Sequence, residues 1–221
     1  MAQRSKANML VLFDSCEDIK KYIDSDANAG LIGLEEKFFE KCRDMLPLID
    51  ENNVVLVPRS LKPVSRKSIP HESSIGGAIT SYIPFDTQSA RTLAKIRRPS
   101  IILITPGTLK YVDEAQINFM RQSHERKFLE VALGHFVKML GENGKGYAQV
   151  ERAFRILGDV IERALKYDVG VVVSGAVEPY PKTLFTSHLD LILFSIGFSK
   201  RERRMVLEVY PFEMLKTMFG G

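Results

Sequence analysis

Apolar residues come in eight short runs, most of them rich in β-branched side chains and separated by polar segments. The runs are Met9–Phe13, Gly30–Leu34, Val54–Val57, Ala78–Ile83, Ile101–Thr105, Leu129–Leu133, Val171–Ser174 and Val206–Tyr210. Within each run the apolar residues are nearly continuous, which is typical of strands covered on both faces of a parallel sheet. The pattern therefore predicts eight parallel strands.

Helical patterns lie between most of these runs. A helix is predicted over Thr87–Arg97, with Asp86 placed to cap its start and Pro99 to stop it. The longest pattern, Tyr147–Tyr167, repeats Val150, Phe154, Leu157, Ile161 and Leu165 as one apolar stripe. Leu189–Ile196 is apolar on nearly all sides, so we expect its neighbours to bury it.

Ser199 and Glu202 have the spacing of a capping box, which predicts a short turn before the last strand. The alternation of strands and helices favours a single irregular (β/α)₈ TIM-like barrel over residues 1–221, with residues 1–8 as a disordered tail. A doubly wound open sheet is the competing architecture. The stretch Pro58–Ser74, which includes Arg59, is rich in proline and basic residues. It is predicted to be an irregular loop on the face of the barrel that carries the functional loops.

Composition limits the function only loosely. The net charge of +4 and the pI near 9.0 permit a polyanionic partner without requiring one. No apolar stretch approaches the roughly 20 residues that span a bilayer, so we expect a cytoplasmic protein. Cys16 and Cys42 lack the number and spacing of a zinc site or disulfide framework, and we expect two ordinary thiols in a reducing cell.

Residues that could carry autonomous catalysis are sparse. The four histidines are scattered, and only Asp14 and His135 follow predicted strands where a barrel would hold metal ligands. Gly141–Gly146 could let backbone amides approach a phosphate, but a flexible turn is the simpler interpretation. We therefore predict no catalytic residue, no metal ligand and no cofactor held by the protein.

Basic residues, by contrast, recur on one face of several predicted helices. The sets are Arg152, Arg155, Arg163 and Lys166 with Asp159 among them; Arg91, Lys95 and Arg98; Arg121, Arg126 and Lys127; and Lys200, Arg201, Arg203 and Arg204. One such stripe is usually a solvated face. Together they favour a surface that follows nucleic-acid phosphates.

Several short segments appear in a recognisable order from about Tyr82 to the C-terminus. They are Ile104–Pro106, Val131–Gly134, Leu165–Tyr167, Val173–Ala176, Asp190–Leu191 with the following apolar helix and Gly197, and Val209–Pro211. In this order they resemble the thirty-kilodalton protein subunit of archaeal and eukaryotic ribonuclease P. That resemblance implies a TIM-like barrel related to the polymerase and histidinol phosphatase barrels, without their metal centre.

The resemblance also implies a role in RNA processing. The family's RNA-binding positions fall on or next to Arg91, Lys127, Lys166 and Arg204. The family's Asp falls on Asp190, which we expect to orient a neighbouring basic side chain, and Arg155 and His188 are further supporting candidates. The implied partners are the ribonuclease P RNA, precursor tRNA and a small ferredoxin-like protein subunit, and the catalytic Mg²⁺ ions are held by the RNA. Thr186 and His188 stand where the family often has Arg and Pro, which puts one RNA contact in doubt.

Two questions stay open from the sequence. A metal-dependent phosphoesterase of the related barrel family is the alternative function. For the surface that meets the small protein subunit, Phe38, Phe39 and Phe219 are candidates because they fall outside the strand pattern.

Overall fold

Seven parallel strands form the wall of an irregular TIM-like α/β barrel in the computed structural model, which describes residues 5–45, 54–65, 77–141, 146–175 and 177–219. The strands are β1 Lys6–Val11, β2 Ala29–Glu35, β3 Val55–Val64, β4 Ile79–Pro84, β5 Ser100–Ile104, β6 Lys127–Ala132 and β7 Gly170–Ser174. Each strand pairs with its neighbours in sequence order. The parallel order confirms the predicted barrel class.

Helices follow most strands and cover the outside of the wall. They are α1 Cys16–Ser25, α2 Glu36–Lys41, α3 Thr87–Lys95, α4 Glu114–Arg121, α5 Leu133–Gly141, α6 Tyr147–Lys166, α7 Thr186–Ser195, α8 Lys200–Arg204 and α9 Tyr210–Phe219. The predicted cap of α3 is confirmed, because the backbone N–H of Ser89 donates to Asp86 Oδ1 at 2.6 Å. The predicted capping box of Ser199 and Glu202 is also confirmed, and it begins α8.

The barrel interior begins with an apolar layer to which every strand contributes. Its members are Ala7, Met9, Leu31, Val57, Ile79, Ile101, Phe128 and Val172, joined by Tyr210 and Met214 of α9. Because side chains alternate along a strand, the residues two positions further on, Arg59, Ser81 and Glu130, also point inward. They form a polar layer nearer the carboxyl ends of the strands.

The wall is nearly closed where β1 meets β7, although these two strands do not pair as a ladder in the described structure. Asn8 Oδ1 accepts a hydrogen bond from the backbone N–H of Gly175 at 2.8 Å, and Asn8 Nδ2 donates to the carbonyl of Leu184 at 2.8 Å. Just beyond β1, Leu12 and Pro179 form an isolated parallel bridge. Side-chain hydrogen bonds therefore hold β1 close to the residues that follow β7.

The eighth predicted strand, Val206–Tyr210, is wrong. Met205–Val209 is a π-helical turn that joins α8 to α9 without a break, and Tyr210 N–H donates to the carbonyl of Met205. Val206, Leu207, Tyr210 and Met214 are buried, which is the spacing of a helix face rather than of a strand. Pro211 has no N–H for an α-helical bond, and the wider turn just before it accommodates that loss.

Three further expectations are corrected. Residues 6–8 belong to β1 instead of a disordered tail. Within Pro58–Ser74, residues 58–64 continue β3, and residues 66–74 lie outside the described part of the chain. In α7, Leu189 and Leu193 are buried but Leu191 and Phe194 are about 60% exposed, so this helix is buried on one side only.

Cys16 and Cys42 form a disulfide, which corrects the expectation of two free thiols. Their Cα atoms are 5.5 Å apart, within the usual range for such a bond. The bond ties the start of α1 to the residue that follows α2. Among the described residues, no helix has the length and apolarity needed to cross a membrane.

Candidate nucleic-acid interface

Basic side chains surround a depression of about 590 Å³ at the carboxyl ends of α3 and α4, which we call the α3–α4 depression. Lys95, Arg97 and His124 line it together with Phe119, Gln122, Ser123 and Glu125. Lys95 ends α3, where a cation also interacts favourably with the helix carbonyls. Its Nζ lies 3.8 Å from the centroid of the Phe119 ring, so a cation–π contact holds the ammonium in place.

A second depression, of about 440 Å³, shares Ser123, His124 and Glu125 with the first. Arg121 and Arg126 line it, and the Arg121 guanidinium lies 5.2 Å from the centroid of the Tyr167 ring. Arg126 contributes less free charge because it pairs with Asp168 and Glu213. Although burial opposes the shift, these two carboxylates raise the pKa of Arg126. Arg121 is thus the exposed cation that extends the α3–α4 depression.

Lys127 is not a surface residue, which corrects its assignment as a phosphate contact. The residue is 2% exposed, and its Nζ donates to the carbonyls of Ile96, at 2.7 Å, and of Arg98. Burial lowers the pKa of Lys127 to about 8. This side chain ties the start of β6 to the connection between α3 and β5.

Arg91 is partly exposed, but its charge already has a partner. Its Nη2 lies 2.9 Å from Asp113 Oδ2, and Asp113 also caps α4 by accepting from the backbone N–H of Gln116 at 2.8 Å. Arg91 therefore links α3 to the start of α4. A phosphate contact by Arg91 stays a prediction and requires the carboxylate to share this guanidinium.

The basic stripe of α6 does not form one continuous cationic face. Lys166 is exposed in the last turn and shares a shallow depression with Arg163, which pairs with Glu114 at 2.9 Å. Arg155 is exposed at the middle of the helix, in a groove whose other charged residues are carboxylates. The helical spacing and the interruption by Asp159 were predicted correctly, but the carboxylates of other elements that face the stripe, Glu114 and Glu202, could not be placed from the sequence.

Arg204 and His188 have partners that lie only a few residues away in the sequence. Arg204 Nε lies 3.1 Å from Glu208 Oε2, and the Arg204 side chain remains 73% exposed. It lies at the end of α8, so no closing strand follows it. His188 caps α7, because its Nδ1 accepts from the backbone N–H of Phe185 at 3.2 Å.

Asp190 binds two basic side chains, in line with the expectation that it orients a cationic neighbour. Lys6 Nζ and Arg203 Nε each donate to it at 2.6 Å. Despite partial burial, these two partners lower the pKa of the Asp190 carboxyl. The contacts join the start of β1 to α7 and α8, so Asp190 works as a structural clasp.

Thr186 occupies a position where the resemblance suggested an arginine. Its backbone N–H and its hydroxyl both donate to Asp26 at 2.7 Å, and both residues are buried. The position links the start of α7 to the end of α1. Thr186 is thus a packing residue in this protein.

A buried ionic cluster lies in the barrel interior and was not predicted from the sequence. Arg59 Nη2 donates to Ser81 Oγ at 2.7 Å and pairs with Glu130, and none of the three side chains is exposed. Gly33 makes room for Arg59, since a Cβ at position 33 would lie 2.7 Å from Arg59 Cγ. Arg59 Nε and Nη1 and Glu130 Oε1 have no hydrogen-bond partner among the described residues.

The positions considered for metal ligands do not converge. Asp14 and His135 are exposed after β1 and at the start of α5. In the part of the chain that the structure describes, no group of three or more His, Cys, Asp or Glu side chains has the arrangement of a metal site.

Comparison with known proteins leaves the family open. No family model and no curated protein matches the chain. One similar solved structure comes from Pseudomonas putida and was described as a candidate 2-pyrone-4,6-dicarboxylic acid hydrolase. It is 9% identical, with a TM-score of 0.47 over 99% of this chain and 98% of that chain. At this level of similarity, the described hydrolase activity is a statement about that protein alone.

Proposed function

We propose that this protein is an RNA-binding subunit of ribonuclease P that helps the catalytic RNA to remove 5′ leaders from precursor tRNA. Two kinds of support meet in this proposal. The ordered segments from Ile104–Pro106 to Val209–Pro211 resemble the family, and exposed cations gather at one end of the barrel.

The α3–α4 depression carries the proposal. Lys95, Arg97 and His124 line one concave surface, and Arg121 extends it. Among the described residues, Lys95, Arg97 and Arg121 have no carboxylate partner, in contrast to Arg91 and Arg204. Such cations can neutralise phosphates and release counterions, which is the main source of affinity for RNA.

In this role the protein does not perform the hydrolysis. Mg²⁺ ions held by the RNA activate the water, and the protein reduces repulsion between phosphates that the active fold of the RNA brings together. A small ferredoxin-like protein subunit is the expected protein partner. Arg91, Lys166 and Arg204 remain predicted secondary contacts, each weaker where a carboxylate competes.

The first test is a pull-down of the tagged protein from its own cells, followed by sequencing of the RNA that co-purifies. We expect ribonuclease P RNA to be the enriched species. The purified chain should show no phosphoesterase turnover with Mg²⁺, Mn²⁺ or Zn²⁺. Absence of that RNA, together with metal-dependent turnover that is lost in Asp14→Ala or His135→Ala, would favour the phosphoesterase alternative.

The second test locates the RNA contacts. Arg97→Ala and Arg121→Ala should each weaken RNA binding and reduce the slope of log affinity against log salt by roughly 0.7–0.9 per lost contact. Arg163→Ala is the matched control, because that guanidinium already pairs with Glu114 at 2.9 Å. Equal salt slopes for all three variants and the unmodified protein would reject the α3–α4 depression as the RNA surface.

A further inference from the structure

A groove of about 820 Å³ separates α6 from the end of α7 and from α8, and we call it the α6–α7 groove. Its apolar lining includes Val150, Phe154, Ile196 and Phe198, with Leu140 and Tyr147 at the end where α5 meets α6. Leu140 is 61% exposed and Tyr147 is 81% exposed. Large apolar side chains this exposed around one concave surface are typical of an interaction site.

The rim of the groove is acidic. Of its described lining residues, Glu151, Asp159, Glu162 and Glu202 carry carboxylates, and Arg155 carries the opposing charge. Glu202 is already used in the cap of α8, where it accepts from the backbone N–H of Ser199 at 2.8 Å. Glu151, Asp159 and Glu162 form no ion pair within the described ranges of the chain. The rim therefore complements a positively charged partner, although the protein as a whole is basic.

Gly158 opens the wall of the groove near the middle of α6. Glycine inside a helix is destabilising relative to alanine, so its place in a 20-residue helix needs a reason. Packing among the described residues supplies none, because a Cβ at position 158 would have the carbonyl oxygen of Ile196 as its nearest neighbour there, at 4.0 Å. A notch of this kind lets a second helix approach α6 closely.

From these features we propose that the α6–α7 groove binds an amphipathic helix of a protein partner. The apolar face of that helix packs on Phe154 and Ile196, which are partly exposed, and crosses α6 at Gly158. Its flanks carry Lys or Arg side chains that face Glu151, Asp159 and Glu162. This is the helix-in-groove mode of peptide recognition, with charge setting the orientation. No residue lining this groove lines the α3–α4 depression, so failure of one proposal leaves the other standing.

The test uses a displayed library of helical peptides with a fixed Leu face and flanking positions varied among Lys, Glu and Ala. Selection on the unmodified full chain, with Gly158→Leu as the counter-target, should enrich Lys at the flanks. The strongest peptide is then labelled and its affinity is measured by fluorescence anisotropy. Lack of enrichment over Gly158→Leu, or enrichment of Glu, would overturn the proposal.

Three variants localise the binding. Gly158→Leu should weaken the peptide at least tenfold because its side chain fills the notch, and Asp159→Lys/Glu162→Lys should weaken it by a similar factor. Gly158→Ala, which adds a single methyl group, should keep affinity within about threefold while raising the melting temperature. The melting temperature of each variant verifies that it is folded. Unchanged affinity in folded Gly158→Leu would show that the peptide binds elsewhere.

Discussion

Arg59 on β3 and Glu130 on β6 meet across the barrel interior, one layer above the apolar residues Val57 and Phe128. The pair joins strands that are three apart in the wall. Ser81 on β4 donates to the same carboxylate oxygen of Glu130 that accepts from Arg59. The contact therefore fixes the position of three strands through one oxygen atom.

Loss of one partner of this pair should be severe. Glu130→Leu leaves the Arg59 guanidinium buried without its carboxylate, and we expect a loss of about 3–5 kcal/mol in the free energy of unfolding. Urea denaturation measures it. The control is Arg163→Leu, which breaks the exposed pair with Glu114 and should change stability by less than about 1 kcal/mol. Similar losses in the two variants would contradict the structural role of the interior pair.

Lys127 should make stability depend on pH in the alkaline range. Burial lowers its pKa in the folded state to about 8, from an ordinary value of 10.5. Between these values the unfolded chain binds more protons at this site, so the contribution of Lys127 to stability should increase as the pH rises from about 8 toward 10.5. Replacement by methionine, Lys127→Met, removes this contribution.

Urea unfolding of the unmodified protein and of Lys127→Met at a series of pH values checks this prediction. The difference in stability between the two proteins should change in favour of the unmodified protein across that interval. The variant also leaves the carbonyls of Ile96 and Arg98 without the ammonium donor, which costs about 1–3 kcal/mol. A difference that is independent of pH would contradict the lowered pKa.

The clasp at Asp190 should act at the other end of the pH scale. Because Lys6 and Arg203 lower its pKa in the folded protein, the stabilisation is present above the ordinary carboxyl range near pH 4 and is lost as the pH falls through the folded-state value. Asp190→Asn should destabilise the protein by about 1–2 kcal/mol at pH 7. Thermal melts from pH 7 downward should show that the melting temperatures of the unmodified protein and of Asp190→Asn converge in acid. A difference in melting temperature that persists in acid would mean that Asp190→Asn destabilises the protein by disturbing packing and not by removing the negative charge.

The disulfide of Cys16 and Cys42 should stabilise the fold measurably. The bond closes a segment with a sequence separation of 26, and loop-closure arguments give a loss of roughly 2–4 kcal/mol on its removal. Cys16→Ser/Cys42→Ser should melt at a lower temperature than the oxidised protein. Added reductant should lower the melting temperature of the oxidised protein and leave that of the double variant unchanged. Equal sensitivity of both proteins to reductant would contradict the bond.

The barrel was predictable because its signals are local. Near-continuous apolar runs mark strands buried on both faces, and Asp86 with Ser89, or Ser199 with Glu202, marks a helix start within four residues. The prediction of a strand at Val206–Tyr210 was wrong because a short apolar run fits a strand or a helix equally well. Its helical face becomes evident only with Met214, one turn further on.

The candidate site was harder to predict because charge acts over distances that sequence spacing does not encode. The stripe of Arg91, Lys95 and Arg98 has the right period, yet Asp113 lies 22 residues away and takes the charge of Arg91. Arg59 lies in a stretch rich in basic residues that was predicted to be a surface loop. Its partner Glu130 is 71 residues further along the chain. Pairing between distant elements decides which cations stay available.

A helical segment beside the seam between β1 and β7 also affects how the molecule responds to force. The turn Met205–Val209 lies against both strands and α9 lies against β7, and these two elements come last among the described residues. Tension applied at the end of α9 therefore acts on this segment first. We expect the segment to unfold one helical turn at a time. Tension along β1 and β7 instead has to shear whole ladders of backbone hydrogen bonds with β2 and β6. We therefore expect the barrel to yield at a lower force when it is pulled from α9 than when it is pulled along its strands, and single-molecule pulling from these two kinds of attachment point measures the difference.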